Sequence, residues 1–155
     1  VDADGYYFTN FLQDKAKTAY GGAELKYGYK DWFDASLKGT FYSWKTDNEN
    51  EELYLVTKPK FELNFYAEAK VFEGLKVYLG YEYVQRKEYV IEEGNSSRDF
   101  GLGNISNLSV GASYTFLKDL SVFGRVNNLL NKQYYYEYGY PAEKLNVLAG
   151  LSLAF

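Results

Sequence analysis

Apolar and polar residues alternate with a period of two along most of this chain, and that alternation defines its elements. Phe61, Leu63, Phe65, Ala67, Ala69 and Val71 oppose Glu62, Asn64, Tyr66, Glu68 and Lys70. Successive strand residues project to opposite faces, so this run predicts a strand with one apolar and one polar side. The same pattern predicts strands over residues 19–29, 33–44, 75–83, 107–116, 120–127 and 143–155, with a weaker one over 6–12. Pro59 fits a strand start, where its missing donor costs least. The sum is an all-β, antiparallel up-and-down meander of about eight strands in one domain spanning residues 1–155.

The connections alternate between short and long. Three short turns run from Tyr29 to Trp32, Phe72 to Leu75 and Leu117 to Leu120, about 44 residues apart, which is one hairpin period. The long connections are the charged loop from Thr46 to Glu52, the loop from Tyr89 to Gly103, and the stretch between Asn127 and Glu143. Short turns on one rim and long loops on the other is the pattern of outer-membrane barrels.

Alternation does not say which face meets the core. A soluble barrel buries the apolar face, and a membrane barrel turns it outward. Three features favour the membrane arrangement. The apolar faces run five or six positions without a charge. Aromatics gather near both ends of these stretches: Tyr27, Tyr29, Trp32, Phe33, Phe72, Phe116 and Phe155 at the short-turn rim, and Phe41, Trp44, Phe61, Tyr83 and Tyr134 at the other. The polar faces carry both signs (Glu62, Glu68, Lys70, Lys76, Glu82, Arg125), which suits an interior ion-pair network.

Composition removes several chemistries. There is no His, which excludes imidazole metal sites and Ser-His or Cys-His nucleophiles, and no Cys, which excludes thiolates and disulfides. No enzyme activity and no cofactor are expected. The net charge of −4 and the lack of a basic stripe give no case for nucleic acid. With 18 Tyr and 11 Phe but two Pro, the chain favours strands over disorder.

The final stretch carries a resemblance. Val126-Asn127-Asn128-Leu129-Leu130-Asn131-Lys132-Gln133-Tyr134, then Gly139-Tyr140-Pro141, then a strand ending in Phe155, resembles the carboxyl end of TonB-dependent outer-membrane receptors. The resemblance implies the carboxyl-terminal barrel segment of a receptor that imports a scarce nutrient such as a metal chelate, vitamin or saccharide. Such receptors have about 22 strands and an amino-terminal plug, more than this chain holds. The implied setting is the bacterial outer membrane, with its lipid and lipopolysaccharide as neighbours and the TonB system engaged through an amino-terminal part. It also implies that barrel-assembly machinery reads the terminal strand, here Gly150, Leu151, Leu153 and Phe155. The alternatives are an autonomous eight-stranded outer-membrane barrel with a structural, adhesive or surface-binding role, and a soluble ligand-binding barrel.

Ligand-loop candidates lie in the long connections: Trp44, Asp47, Glu49, Arg98, Tyr135, Tyr136 and Tyr138. The run from Asp47 to Glu52 offers oxygen ligands but lacks the glycine and spacing of a calcium loop, so a solvated loop is the better reading. The tyrosines from Tyr134 to Tyr140 could stack on a sugar or aromatic chelate, although an aromatic girdle explains them as well. Arg86, Lys87 and Arg98 read as rim charges within reach of an anionic ligand or lipopolysaccharide. Glu68 and Glu82 read as members of the ion-pair network rather than as an acid–base pair.

Overall fold

The computed structural model describes residues 15–46, 55–87, 89–93, 96–118, 120–137 and 140–153, with the backbone alone for 89–93 and 96–100. Seven strands form the main sheet: β1 (Ala16–Tyr29), β2 (Phe33–Thr46), β3 (Pro59–Phe72), β4 (Leu75–Arg86), β7 (Ile105–Leu117), β8 (Leu120–Asn127) and β11 (Asn146–Leu153). Two small hairpins are inserted, β5 (Tyr89–Glu93) with β6 (Ser96–Phe100), and β9 (Tyr135–Glu137) with β10 (Tyr140–Pro141). The sheet order is β1-β2-β3-β4-β7-β8-β11, and every pairing is antiparallel. Four of the strands run 12 to 14 residues from β1 to β4, beyond the roughly 9–11 that a tilted membrane-spanning strand needs.

The predicted meander is present, with three differences. The strand expected over residues 6–12 lies outside the described residues. Residues 89–103 are not a plain loop. Tyr89, Val90 and Ile91 are β-prone, and residues 89–93 pair antiparallel with 96–100, from Tyr89 opposite Phe100 to Glu93 opposite Ser96. The last strand begins at Asn146 rather than 143, because the preceding segment is held to the rim by side chains.

Register explains why one face is wholly apolar. Tyr27, Ala35, Ala67, Leu79, Val110, Val126 and Val147 stand side by side across all seven strands. The row below is Tyr29, Phe33, Ala69, Val77, Ala112, Gly124 and Ala149. Between them, on the other face, run Gly28, Asp34, Glu68, Tyr78, Gly111, Arg125 and Leu148. A slip of one residue at any pairing would set charges among the apolar rows.

Nothing covers the apolar face among the described residues. Leu151 is 72% exposed, Leu25 69% and Val147 68%. The buried apolar side chains are Leu55, Val56, Val84, Leu102, Ile105 and Tyr134, all at the long-loop end. A soluble barrel would bury the sheet face instead, so the exposed face is the one built for lipid.

The interior ion-pair network is smaller than expected. Among the described residues it comprises Lys26–Glu24 and Lys76–Glu68, each at 3.4 Å. Phenols serve carboxylates as well: Tyr42 donates to Glu62 at 2.8 Å, and Tyr66 donates at 3.0 Å to the second oxygen of Glu68. Arg125 lies over the Tyr78 ring at 6.0 Å. Tyrosine-rich strands supply neutral donors, which lowers the number of charges needed to satisfy a carboxylate.

The short turns are stitched to one another. The Lys70 amide donates to the Trp32 carbonyl at 2.7 Å, and the Thr115 amide to that of Gly74 at 2.9 Å. Gly74 has φ +82°, and a Cβ there would press on the Thr115 carbonyl, so both conformation and space require glycine.

The face assignment has a direct consequence. Ala67→Arg places a cation in the middle of the apolar rows, at a cost of about 2–4 kcal/mol. Glu68→Arg leaves its charge on the polar face and is expected to destabilise far less. Folding titrations into lipid vesicles should rank the two variants in that order.

Candidate functional site

At the long-loop rim the ladder gives way to side-chain bonds. The motif from Val126 to Tyr134 folds into a turn organised by two asparagines in the left-handed region, Asn128 (φ 49°) and Asn131 (φ 50°). Asparagine tolerates that region better than most residues. Asn128 is 1% exposed. Its side-chain amide donates to the carbonyls of Lys132 (2.7 Å) and Glu143 (3.1 Å), and its oxygen accepts from the Lys132 amide (3.1 Å). Its own amide donates to Asn107 Oδ1 at 3.0 Å. Asn131 Oδ1 accepts from the Leu145 amide at 3.2 Å, and the Leu129 amide donates to the Leu108 carbonyl at 2.8 Å. The motif therefore ties the last long connection to β7 and β11 through backbone groups that no ladder satisfies.

The connection then folds onto the end of β4. Tyr134 is buried against Val84 and Ile105, with Ala142 beside it. Arg86, 8% exposed, donates through a terminal nitrogen to the Tyr135 carbonyl, and its amide donates to Asn104 Oδ1 at 3.0 Å. Tyr136 meets Tyr134 edge to face at 5.5 Å and donates to Glu82 Oε2 at 3.3 Å. Burial raises the Tyr136 phenol pKa first, and the Glu82 carboxylate and Tyr134 raise it further. The fold therefore holds this phenol neutral.

Trp44 faces the same rim from β2. Its indole N–H donates to the Pro59 carbonyl at 2.7 Å, and its ring stacks on Tyr42 at 6.1 Å with 18° between planes. Lys58 Nζ sits over it at 5.6 Å. Trp44 shares the polar face with Tyr42, so it does not belong to the outward aromatic girdle to which the sequence pattern assigns it. Tyr134, buried in the rim, does not belong to that girdle either. Phe41, Phe61 and Tyr83 do form a band, with ring centroids 4.5 and 6.5 Å apart.

Of the ligand-loop candidates, Trp44 and Tyr135 are brought together, both packing on the Leu55–Val56–Leu102 cluster. Tyr136 lies farther along, over Glu82. Arg98 is placed by backbone only, opposite Ile91 in the β5–β6 hairpin. Asp47, Glu49 and Tyr138 lie outside the described residues, as does Phe155. The sequence reading missed the roles of Arg86 and Asn104. A basic residue at the end of a strand is the only signal the sequence carries for the first, and nothing marks the second. In the terminal strand, Leu151 and Leu153 face outward on the apolar side. Gly150 faces the Phe123 ring, which lies where a Cβ would sit. Leu153 pairs with Leu120, so β11 runs back toward the short-turn rim, as the loop lengths require.

The fold these features define is an antiparallel β-meander of the outer-membrane-barrel type, with one apolar and one polar face. No family model matches the chain, and no curated protein matches it. Among solved structures it is similar to FpvA of Pseudomonas aeruginosa bound to an iron complex of a heterologous pyoverdine, with 18% identity and a TM-score of 0.72. It is likewise similar to the ferripyoverdine receptor of the P. aeruginosa outer membrane bound to ferripyoverdine, with 17% identity and a TM-score of 0.69. Each match covers 89% of this chain and 19% of the receptor chain, so this chain spans about a fifth of those receptors.

Two expectations follow from the rim. Asn128→Ala strands two carbonyls and an amide and removes the hydrogen-bonding side chain that lets asparagine occupy the left-handed region, at about 2–4 kcal/mol. Asn128→Gly keeps the backbone freedom and is expected to cost about 1 kcal/mol less, which detergent-solubilised melts of both variants would resolve.

The second expectation concerns pH. The Tyr136 phenol has an ordinary pKa of 10.0 and a raised one in the fold. Its contribution to stability is fully present below the ordinary value and is lost as pH rises above it. Between about pH 9 and about pH 11 the wild-type melting temperature should fall more steeply than that of Tyr136→Phe.

Proposed function

We propose that this chain is the carboxyl-terminal part of the barrel of a TonB-dependent outer-membrane receptor that imports a scarce nutrient of the metal-chelate, vitamin or saccharide kind. The observation that carries the reading is the sheet's open form. Among the described residues, strands β1 and β11 end the sheet and do not pair with each other. Unpaired backbone groups in hydrocarbon cost several kcal/mol each, so both edges call for further strands. The sequence motif at the carboxyl end and the ferripyoverdine receptors' shared fold support the same reading.

In it, lipid and lipopolysaccharide touch the outward face, barrel-assembly machinery reads β11 with Leu151 and Leu153, and the TonB system acts through an amino-terminal plug segment. The reading assigns no catalytic step to this chain.

The test uses the parent gene. Strains lacking it, or lacking TonB, are grown with iron, a vitamin or a saccharide limiting. Loss of uptake of the same nutrient in both strains is the expected result. Unchanged uptake of every nutrient, together with a reading frame that encodes only this barrel, would favour the autonomous eight-stranded alternative.

A further inference from the structure

A shallow trough of about 640 Å³ crosses the outward, apolar face from β2 to β8. Register builds it. Its floor is two adjacent rows that hold Ala67, Ala69, Ala112 and Gly124. The row on one side is bulky, with Leu37, Phe65, Tyr81 and Leu108. So is the row on the other, with Phe72, Leu75, Tyr114 and Val122. A Cβ added to Gly124 would meet nothing within 4 Å, so the floor is open there. From β2 to β8 the trough crosses four strand spacings, about 19 Å. An acyl chain of one leaflet reaches about 15 Å, half of the hydrocarbon core. The trough therefore has the length and the lining of a single extended chain.

The trough also runs obliquely to the rim. On the β1–β2 hairpin the row of Phe33 and Ala69 ends at Tyr29–Phe33, the last pair before the turn. On β8 the same row has reached Gly124, four residues beyond Leu120, about 13 Å along the strand. One end thus lies at the short-turn rim and the other lies deep in the hydrocarbon. A cation stands at the shallow end. Lys30 Nζ lies over the outward Tyr29 ring at 5.3 Å, and Trp32 meets Tyr29 edge to face at 5.8 Å and Phe33 at 5.7 Å. Lys30 belongs to neither of the described ion pairs. The neighbouring Asp31 lines a recess on the polar side, with Lys70 and Lys76.

From this geometry we infer that the trough seats one acyl chain of an anionic glycerophospholipid, with the lipid phosphate at Lys30. The short turns of outer-membrane barrels are periplasmic, and the leaflet on that side is built of glycerophospholipid. Lipid tails are as apolar as the wall, so the preference comes from close packing in the trough and from the charge-assisted contact at its mouth. A second copy of this chain laid on the trough would leave Lys30 without an anion, since the outward rows of the seven strands carry no carboxylate. The assignment concerns the outward wall alone and holds for a receptor segment or an autonomous barrel.

The test is native mass spectrometry of the parent protein in neutral detergent, titrated with three lipids. Dipalmitoyl phosphatidylglycerol has straight chains and a phosphate. Diphytanoyl phosphatidylglycerol keeps the phosphate but has methyl-branched chains, and dipalmitoylglycerol keeps the straight chains without the phosphate. Saturable retention of one dipalmitoyl phosphatidylglycerol is expected, with each of the other two held about tenfold more weakly. Ala112→Leu combined with Gly124→Leu fills the trough and should also weaken the first lipid about tenfold. Lys30→Gln should weaken it to a similar degree and leave dipalmitoylglycerol unchanged, while Lys30→Arg retains it. The comparison of lipids on unaltered protein stands even if the filled variant folds poorly. Equal retention of all three lipids, no retention of any, or unchanged retention by a filled variant that folds would overturn the inference. So would a dimer, in place of the lipid complex, that the filled variant splits.

Discussion

The backbone ladder between antiparallel strands is the interaction on which everything else depends. Lipid offers no partner for an amide or a carbonyl, so every spanning residue must find one across the sheet. Those bonds fix register, and register fixes the face of every side chain. The rows through Ala67 and Ala69 are apolar on all seven strands only because each neighbouring pairing is in phase. The lipid-facing surface is therefore a property of the pairings together and cannot be assigned to any strand alone.

The two rims solve the problem of ending that ladder differently. At the short turns the solution is local: in two of them a turn carbonyl takes an amide from the adjacent hairpin, Trp32 from Lys70 and Gly74 from Thr115. Little sequence is needed, which is why the three turns look alike. At the long-loop rim the chain leaves the sheet for many residues and its polar groups are satisfied by side chains. Asn128, Asn131, Asn104 and Arg86 do this by bonding backbone groups far away in sequence. The buried apolar residues also gather there, because only there does chain lie over chain.

This division explains what the sequence disclosed. The strands were legible because a two-faced strand in lipid must alternate, and the run from Phe61 to Val71 can satisfy no other periodicity. The β5–β6 hairpin was obscured by length: a fifteen-residue connection (residues 89–103) reads as loop unless Tyr89, Val90 and Ile91 are weighed as a strand signal. Trp44 and Tyr134 were misplaced for another reason. Aromatic residues near a strand end suit a girdle, a rim core or an inner wall equally well, and only the strand's parity and its cross-strand neighbours decide among them. Arg86 was invisible as a strut because its partner, the Tyr135 carbonyl, lies 49 residues away.

The same division bears on function. The sheet is constrained on one face by lipid and within its plane by hydrogen bonding, so its freedom to vary lies on the inner face and the long loops. There the chain departs from simple charge pairing. Carboxylates such as Glu62 and Glu82 are met by tyrosines, while Glu24 and Glu68 keep lysine partners at 3.4 Å. A phenol satisfies a carboxylate without bringing a second charge, so the inner face needs fewer matched ion pairs. That follows from a strand composition rich in tyrosine as much as from any single residue.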